Sequence, residues 1–167
     1  MTNIVRKIQL ETSTQVLDAI SFLSAIQEKV LKLFNQYGQS AEKKAITAKI
    51  CSLLTVNMQI EEEIFYPAVK KVIKENGPIS AAIMEHSILK YLIAEIESLD
   101  EDSTVYDIKV SVLSEQVKAH FTADQTKLFP KVIASKKVDL WAVGAQLAWR
   151  IQELGNAGNF ETDICSN

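Results

Sequence analysis

Apolar residues recur in steps of three and four along most of the chain, the period of a helix buried on one side. Leu17, Ile20, Leu23, Val30 and Phe34 form the first stripe. It predicts a helix that opens near Thr12–Thr14, whose hydroxyls can accept from free backbone N–H groups, and stops around Gly38. A second stripe, Ile46, Ile50, Leu53, Leu54, Ile64 and Phe65, follows Ser40, a suitable cap. Pro67 lacks a donor, so a kink or break is expected before Lys70–Glu75, and Asn76-Gly77-Pro78 reads as a turn. The third helix carries Ile79, Ala82, Ile83, Leu89 and Ile93 and ends at Asp100-Glu101-Asp102. Ser103 or Thr104 can cap a fourth, with Leu113, Val117 and Leu128 inward and a break near Pro130. A fifth, from about Asp139 to Leu154, is expected to pack Trp141 and Trp149 onto the others. Four long helices with short connections pack antiparallel to their neighbours. The expectation is an all-α, up-down-up-down four-helix bundle with a short fifth C-terminal helix over residues 1–154, and a loose polar tail over 155–167.

Composition narrows this little further. Only 5 Gly and 3 Pro in 167 residues argue against an all-β fold. A net charge of −3 supplies no basic field for nucleic acid. No apolar run approaches the roughly 18 residues that span a bilayer, and Met1–Leu10 lacks the apolar stretch of a signal peptide. Cys51 and Cys165 make neither a CxxC motif nor a disulfide framework, so a reduced, cytoplasmic setting is expected.

The chemistry lies in what interrupts the stripes. Gln27 falls between Leu23 and Val30; Asn57 and Glu61, one turn apart, fall between Leu53/Leu54 and Ile64/Phe65. His86 falls between Ile83 and Leu89 with Lys90 a turn later, and His120 and Asp124 form another i, i+4 pair between Val117 and Leu128. Each of the four helices thus points a polar group at one interior. Buried polar groups are costly unless they are paired, hydrogen-bonded or metal-bound, and an imidazole and a carboxylate one turn apart can share a metal. Taken singly, each has a plainer explanation. A His on an apolar face is usually a satisfied core residue, Glu61-Glu62-Glu63 is a charge run of the kind that coats a solvated face, and Lys90 can reach water at the bundle end. Their alignment across four helices favours a convergent site. Ferritin-like carboxylate bundles need Glu-x-x-His, and no Glu stands three residues before either histidine.

The segment Glu61-Glu-Glu-Ile-Phe-Tyr-Pro67, the pair Glu85-His86, and the stretch from His120 through Leu128-Phe129-Pro130 together resemble the hemerythrin (HHE cation-binding) family over about Asp18 to Leu154. The resemblance implies a hemerythrin-like bundle holding non-heme metal. Its pattern places histidines at Gln27 and Asn57, and often at Lys90, where this chain has none. His86, His120, Glu61 and Asp124 occupy retained ligand positions, as if one half of a dinuclear site were gone. Three readings stay open at this stage. One divalent metal, iron first and zinc or manganese next, is held by those four residues, with Gln27 and Asn57 hydrogen-bonding the carboxylates from behind. In the second, the core holds no metal, Lys90 supplies the positive charge, and the bundle is a regulatory or protein-interaction module. In the third, amides complete a dinuclear centre. The family suggests oxygen, nitric oxide or iron handling, with a small diatomic molecule as ligand; no nucleic acid or membrane partner is expected, no protein partner is indicated, and no feature points to an enzyme.

Overall fold

The computed structural model describes residues 17–74, 77–100 and 102–157. It is all-helical among these residues. Helix α1 (Ala19–Tyr37) and α2 (Lys43–Ile60) form one antiparallel hairpin; α4 (Gly77–Glu97) and α5 (Tyr106–Ala123) form the other. The second and fourth columns each run on through a wide turn with i→i+5 hydrogen bonding, Glu61–Phe65 and Asp124–Leu128, into short α3 (Tyr66–Lys70) and α6 (Phe129–Ser135). Helix α7 (Leu140–Ala157) lies against α1 and α2. No helix of the described residues is long and apolar enough to cross a membrane.

The predicted stripes are the core. Leu23, Val30, Ile50, Leu54, Phe65, Leu89, Leu113 and Val117 are each no more than 1 % exposed. Neither proline breaks its helix. Pro67 and Pro130 follow directly on the wide turns, at the second residue of α3 and α6, and Tyr66 and Phe129 donate their N–H groups back to the Glu61 and Asp124 carbonyls five residues earlier. An extra residue in the turn accommodates the missing donor and the ring, so the bend expected at each proline becomes a bulge just before it.

Helix starts are chosen differently from the sequence expectation. Thr12–Thr14 lie outside the described residues; α1 is capped by Asp18, whose carboxylate accepts from the backbone N–H of Ile20 at 3.0 Å and of Ser21 at 3.2 Å. Ser40 accepts from Glu42 N–H in the connecting turn, and α2 starts after Glu42 with no side-chain cap. Neither Ser103 nor Thr104 caps α5, which begins after Val105. The fifth helix reaches Ala157, and residues 158–167 lie outside the description.

The tryptophans of α7 are also placed otherwise than expected: Trp141 and Trp149 are both 62 % exposed. Val143, Leu147 and Ile151, spaced i, i+4, i+8, form the buried face instead, and two indoles eight residues apart share a different face. Between the buried positions Gly144 lets α7 touch the start of α1. A Cβ there would stand 2.1 Å from the Leu17 carbonyl oxygen and 2.9 Å from the Ala19 nitrogen. Because those atoms are backbone, they cannot swing aside. Gly144→Ala is expected to lower stability by about 1–3 kcal/mol through this overpacking, read as the urea midpoint; an unchanged midpoint would show that α7 can lift off at no cost.

Candidate metal centre

All seven positions singled out from the stripes lie in one region, and six are buried: Gln27, Asn57, Glu61, His86, His120 and Asp124 are each at most 2 % exposed. His86 on α4 and His120 on α5 meet across the second hairpin, their Nε2 atoms 3.1 Å apart. Glu61, from the wide turn after α2, places Oε2 3.2 Å from His86 Nε2. The ligand atoms of Glu61, His86 and His120 all lie within 4.8 Å of one another. Asp124 stands at the edge of this group, Oδ2 3.5 Å from His120 Nε2.

Each imidazole is oriented from outside by a carboxylate. His86 Nδ1 lies 2.8 Å from Glu62 Oε1, and His120 Nδ1 lies 2.7 Å from Glu85 Oε2. An ionised carboxylate only accepts, so both rings donate from Nδ1 and turn Nε2 inward. Two neutral rings in that tautomer aim lone pairs at each other across 3.1 Å, an arrangement that calls for a proton or a cation between them. Nitrogens each about 2.1 Å from one metal are roughly 3.0–3.4 Å apart for bond angles between octahedral and tetrahedral, so the spacing fits a shared ion.

The amides bond the same carboxylate oxygens that face the imidazoles. Gln27 Nε2 donates to Asp124 Oδ2 at 2.9 Å and Asn57 Nδ2 to Glu61 Oε2 at 2.9 Å. Asn57 Oδ1 and Glu61 Oε1 are buried without a hydrogen-bond partner among the described residues. Lys90 does not enter the core. Its side chain is 51 % exposed and both Glu62 oxygens accept from it at 2.8 Å, so it bonds Glu62 rather than Glu61 or Asp124, and its charge works with burial to lower His86.

Burial governs the electrostatics. It pushes the Glu61 carboxyl up to about 7, with His120 and the Asn57 hydrogen bond working against the rise. Burial, reinforced by Glu61, pushes Asp124 up to about 8. The His86 imidazole is lowered by burial, partly offset by Glu62. Burial also works against Glu62 itself, but its bonds to Lys90 and His86 prevail and hold it below the usual carboxylate value. A core of two carboxylates that resist ionising and an imidazole that resists protonation holds less charge than its residues could carry; a divalent cation would favour ionised carboxylates and neutral imidazoles at once.

Three participants were not singled out from the sequence. Glu62 and Glu85 look like ordinary surface acids, and the available signal was chemical: a histidine meant for a metal usually has a carboxylate or carbonyl behind it. Tyr66, the third, places its hydroxyl 3.3 Å from His86 Nε2, and burial keeps it protonated by raising its pKa. In a regular α-helix a residue five places on points about 140° away; the wide turn after Glu61 brings Tyr66 onto the same side. That turn also fans out the acidic run, with Glu61 inward, Glu62 toward α4, and Glu63 toward Arg150 on α7 at 2.8 Å.

The hemerythrin HHE cation-binding domain model matches residues 18–132, the span that contains every residue of this cluster. The chain belongs to the hemerythrin HHE family. A solved structure of a hemerythrin HHE cation-binding domain-containing protein from Mycobacterium kansasii shares the fold, with a TM-score of 0.71 and 18 % identity over 84 % of this chain and 89 % of that one. No curated protein sequence matches. Within the family's helical architecture, this chain combines a Glu/His/His cluster with amides on the two neighbouring positions.

If Glu85 serves to orient His120, Glu85→Gln is expected to weaken metal affinity about 10–100-fold, the usual effect of removing such a partner, with little change in helix content. Competition against a chelator of known affinity measures this, and an unchanged affinity would make Glu85 a bystander.

Proposed function

We propose that this protein binds one divalent metal ion per chain between its two hairpins, held by His86, His120 and Glu61 with Asp124 as fourth donor. The observation that carries the reading is the convergence of two imidazole Nε2 atoms at 3.1 Å, each ring fixed from behind by a carboxylate, on a buried glutamate. Two imidazoles and carboxylate oxygen suit iron(II), manganese or zinc, and iron is favoured by the family. Such a centre, when loaded, supplies a Lewis acid with room for a small ligand. Tyr66 can donate a hydrogen bond beside it, and the surrounding aliphatic residues keep bulk water away. These are features of oxygen, nitric oxide or iron handling rather than of catalysis on a large substrate.

Gln27 and Asn57 separate this site from a dinuclear one. Each amide donates to a carboxylate; in place of an imidazole Asn57 offers only a carbonyl oxygen, a weak ligand for iron or zinc, and the Gln27 carbonyl already accepts from Gln125 at 2.7 Å. Elemental analysis of untagged protein made in iron- and zinc-supplemented medium is expected to find about one metal per chain. Two per chain would overturn the single-ion reading, and none would favour the second reading, a metal-free interaction module. The exposure of Trp141 and Trp149 is the observation on that side, since large aromatics left in water are enriched where partners bind.

A further inference from the structure

Two clefts lead from the surface toward Asp124, and they differ in what faces the ion. One, about 420 Å³, opens between α1 and α5. Its floor is a chain of amides: Gln125 Nε2 donates to Gln27 Oε1 at 2.7 Å and to Ser24 Oγ at 3.0 Å, and Gln27 in turn donates to Asp124. Glu28 and Lys118 line this cleft with opposite charges, and a cation coming this way must break the Gln125–Gln27 and Gln27–Asp124 hydrogen bonds before it reaches Asp124. The other, about 260 Å³, lies between the first turns of α4 and the wide turn that carries Asp124. Gly77, Ala81 and Ala123 leave its throat open, and Glu85 and Asp124 line it directly. Glu85 is 41 % exposed in its side chain while Asp124 is 3 % exposed, so the acidic groups step from water to the interior.

Resting on the metal-binding reading, we propose that the cleft between α4 and the Asp124 turn is the port through which divalent cations enter and leave, with Glu85 as the outer carboxylate and Asp124 as the inner one. Glu85 already holds His120 Nδ1, so an ion handed inward from it arrives beside a ligand. Carboxylates facing a narrow, partly desolvated throat concentrate cations and raise their on-rate. Lys127 also lines the cleft and opposes that attraction. It serves as a brake whose removal is measurable.

The test uses the full chain, metal-free, with Co2+ as probe, followed by its visible absorption. Ala81 is exposed, so Ala81→Phe narrows the port without disturbing the core. Uptake and chelator-driven release are expected to slow by the same factor, about tenfold, because entry must then wait for the side chain to move aside, while stoichiometry and affinity stay unchanged. Lys127→Gln is expected to speed uptake at low ionic strength and lose that advantage at high salt, as a steering effect does. Unchanged rates in Ala81→Phe, with Gln125→Ala accelerating both directions, would overturn the proposal and assign entry to the α1–α5 cleft. Failure of the unmodified protein to bind Co2+ at equilibrium would overturn the metal-binding reading itself, a result distinguishable because it appears in the stoichiometry rather than the rates.

Discussion

Substituting alanine for His120 is expected to take the metal content of the purified protein from about one ion per chain to none, while the far-ultraviolet circular dichroism stays helical. His120 joins the two sides of the centre: His86 lies at 3.1 Å, Asp124 at 3.5 Å, and Glu85 behind it at 2.7 Å. Its loss removes a nitrogen donor outright, so the effect should exceed the roughly 10–100-fold weakening that follows from losing an orienting partner. The helices do not depend on it, because Leu113, Val117, Phe121 and Leu128 bury the same face of the fourth column. Without metal, truncating a fully buried side chain still costs stability, about 2–5 kcal/mol by analogy with large apolar residues; helix content and a cooperative melt are therefore measured together with metal content. Unaltered metal stoichiometry in the variant would sink the proposed ligand set.

The metal-free protein is expected to become less stable as pH rises from 6.5 to 8, and the metal-loaded protein more stable. Burial raises Glu61 to about 7 and Asp124 to about 8. Above its ordinary value each carboxyl is ionised in the unfolded chain but keeps its proton in the folded one, until the folded pKa is passed. The folded state therefore holds more protons over that window, and stability falls with rising pH by about 1.4 kcal/mol per unit for each such proton. His86, lowered by burial, acts with opposite sign and mainly below its ordinary value of 6.5, where the unfolded chain takes up a proton that the folded one refuses. Between 6.5 and 8 the carboxylates thus outweigh the fading His86 contribution, and the melting temperature without metal should drop on the order of 5 °C across the interval. Metal binds the ionised carboxylates and neutral imidazoles, so its affinity, and the stability it adds, grow with pH. Thermal melts at the two pH values, with and without Zn2+, decide the matter. A metal-free protein that gains stability on going to pH 8 would mean that the two carboxylates are not confined as described.

The core and the positions of the polar interruptions were legible because both follow from one period. Residues three and four apart share a helix face whatever the helix packs against, so Leu23, Gln27 and Val30, or Val117, His120 and Asp124, could be placed inward without knowing their neighbours. Helix starts were harder to read. Ser, Thr and Asp recur near each candidate, and which one caps depends on where the chain enters: Asp18 caps α1, whereas Ser40 serves a turn and Ser103 and Thr104 cap nothing. The prolines were read as interruptions because the pattern counts regular turns, and the alternative, an extra residue in the turn before each, leaves no mark in a 3.6-residue period.

The sequence by itself determined that four amphipathic helices would gather His86, His120, Glu61 and Asp124, with Gln27 and Asn57, into one interior, since hydrophobic burial and helical spacing act along a single chain. Only the tertiary structure decided how those groups meet. Lys90 turns out to water while Glu62, part of an acidic run, reaches inward to His86; Glu85 crosses to the neighbouring helix to hold His120; Tyr66 reaches His86 through the wide turn; and Trp141 and Trp149 stay exposed. Each of these depends on the rotation of one helix about its axis relative to the next, and that rotation is set by how the side chains of both helices pack together, which no single helix's periodicity contains.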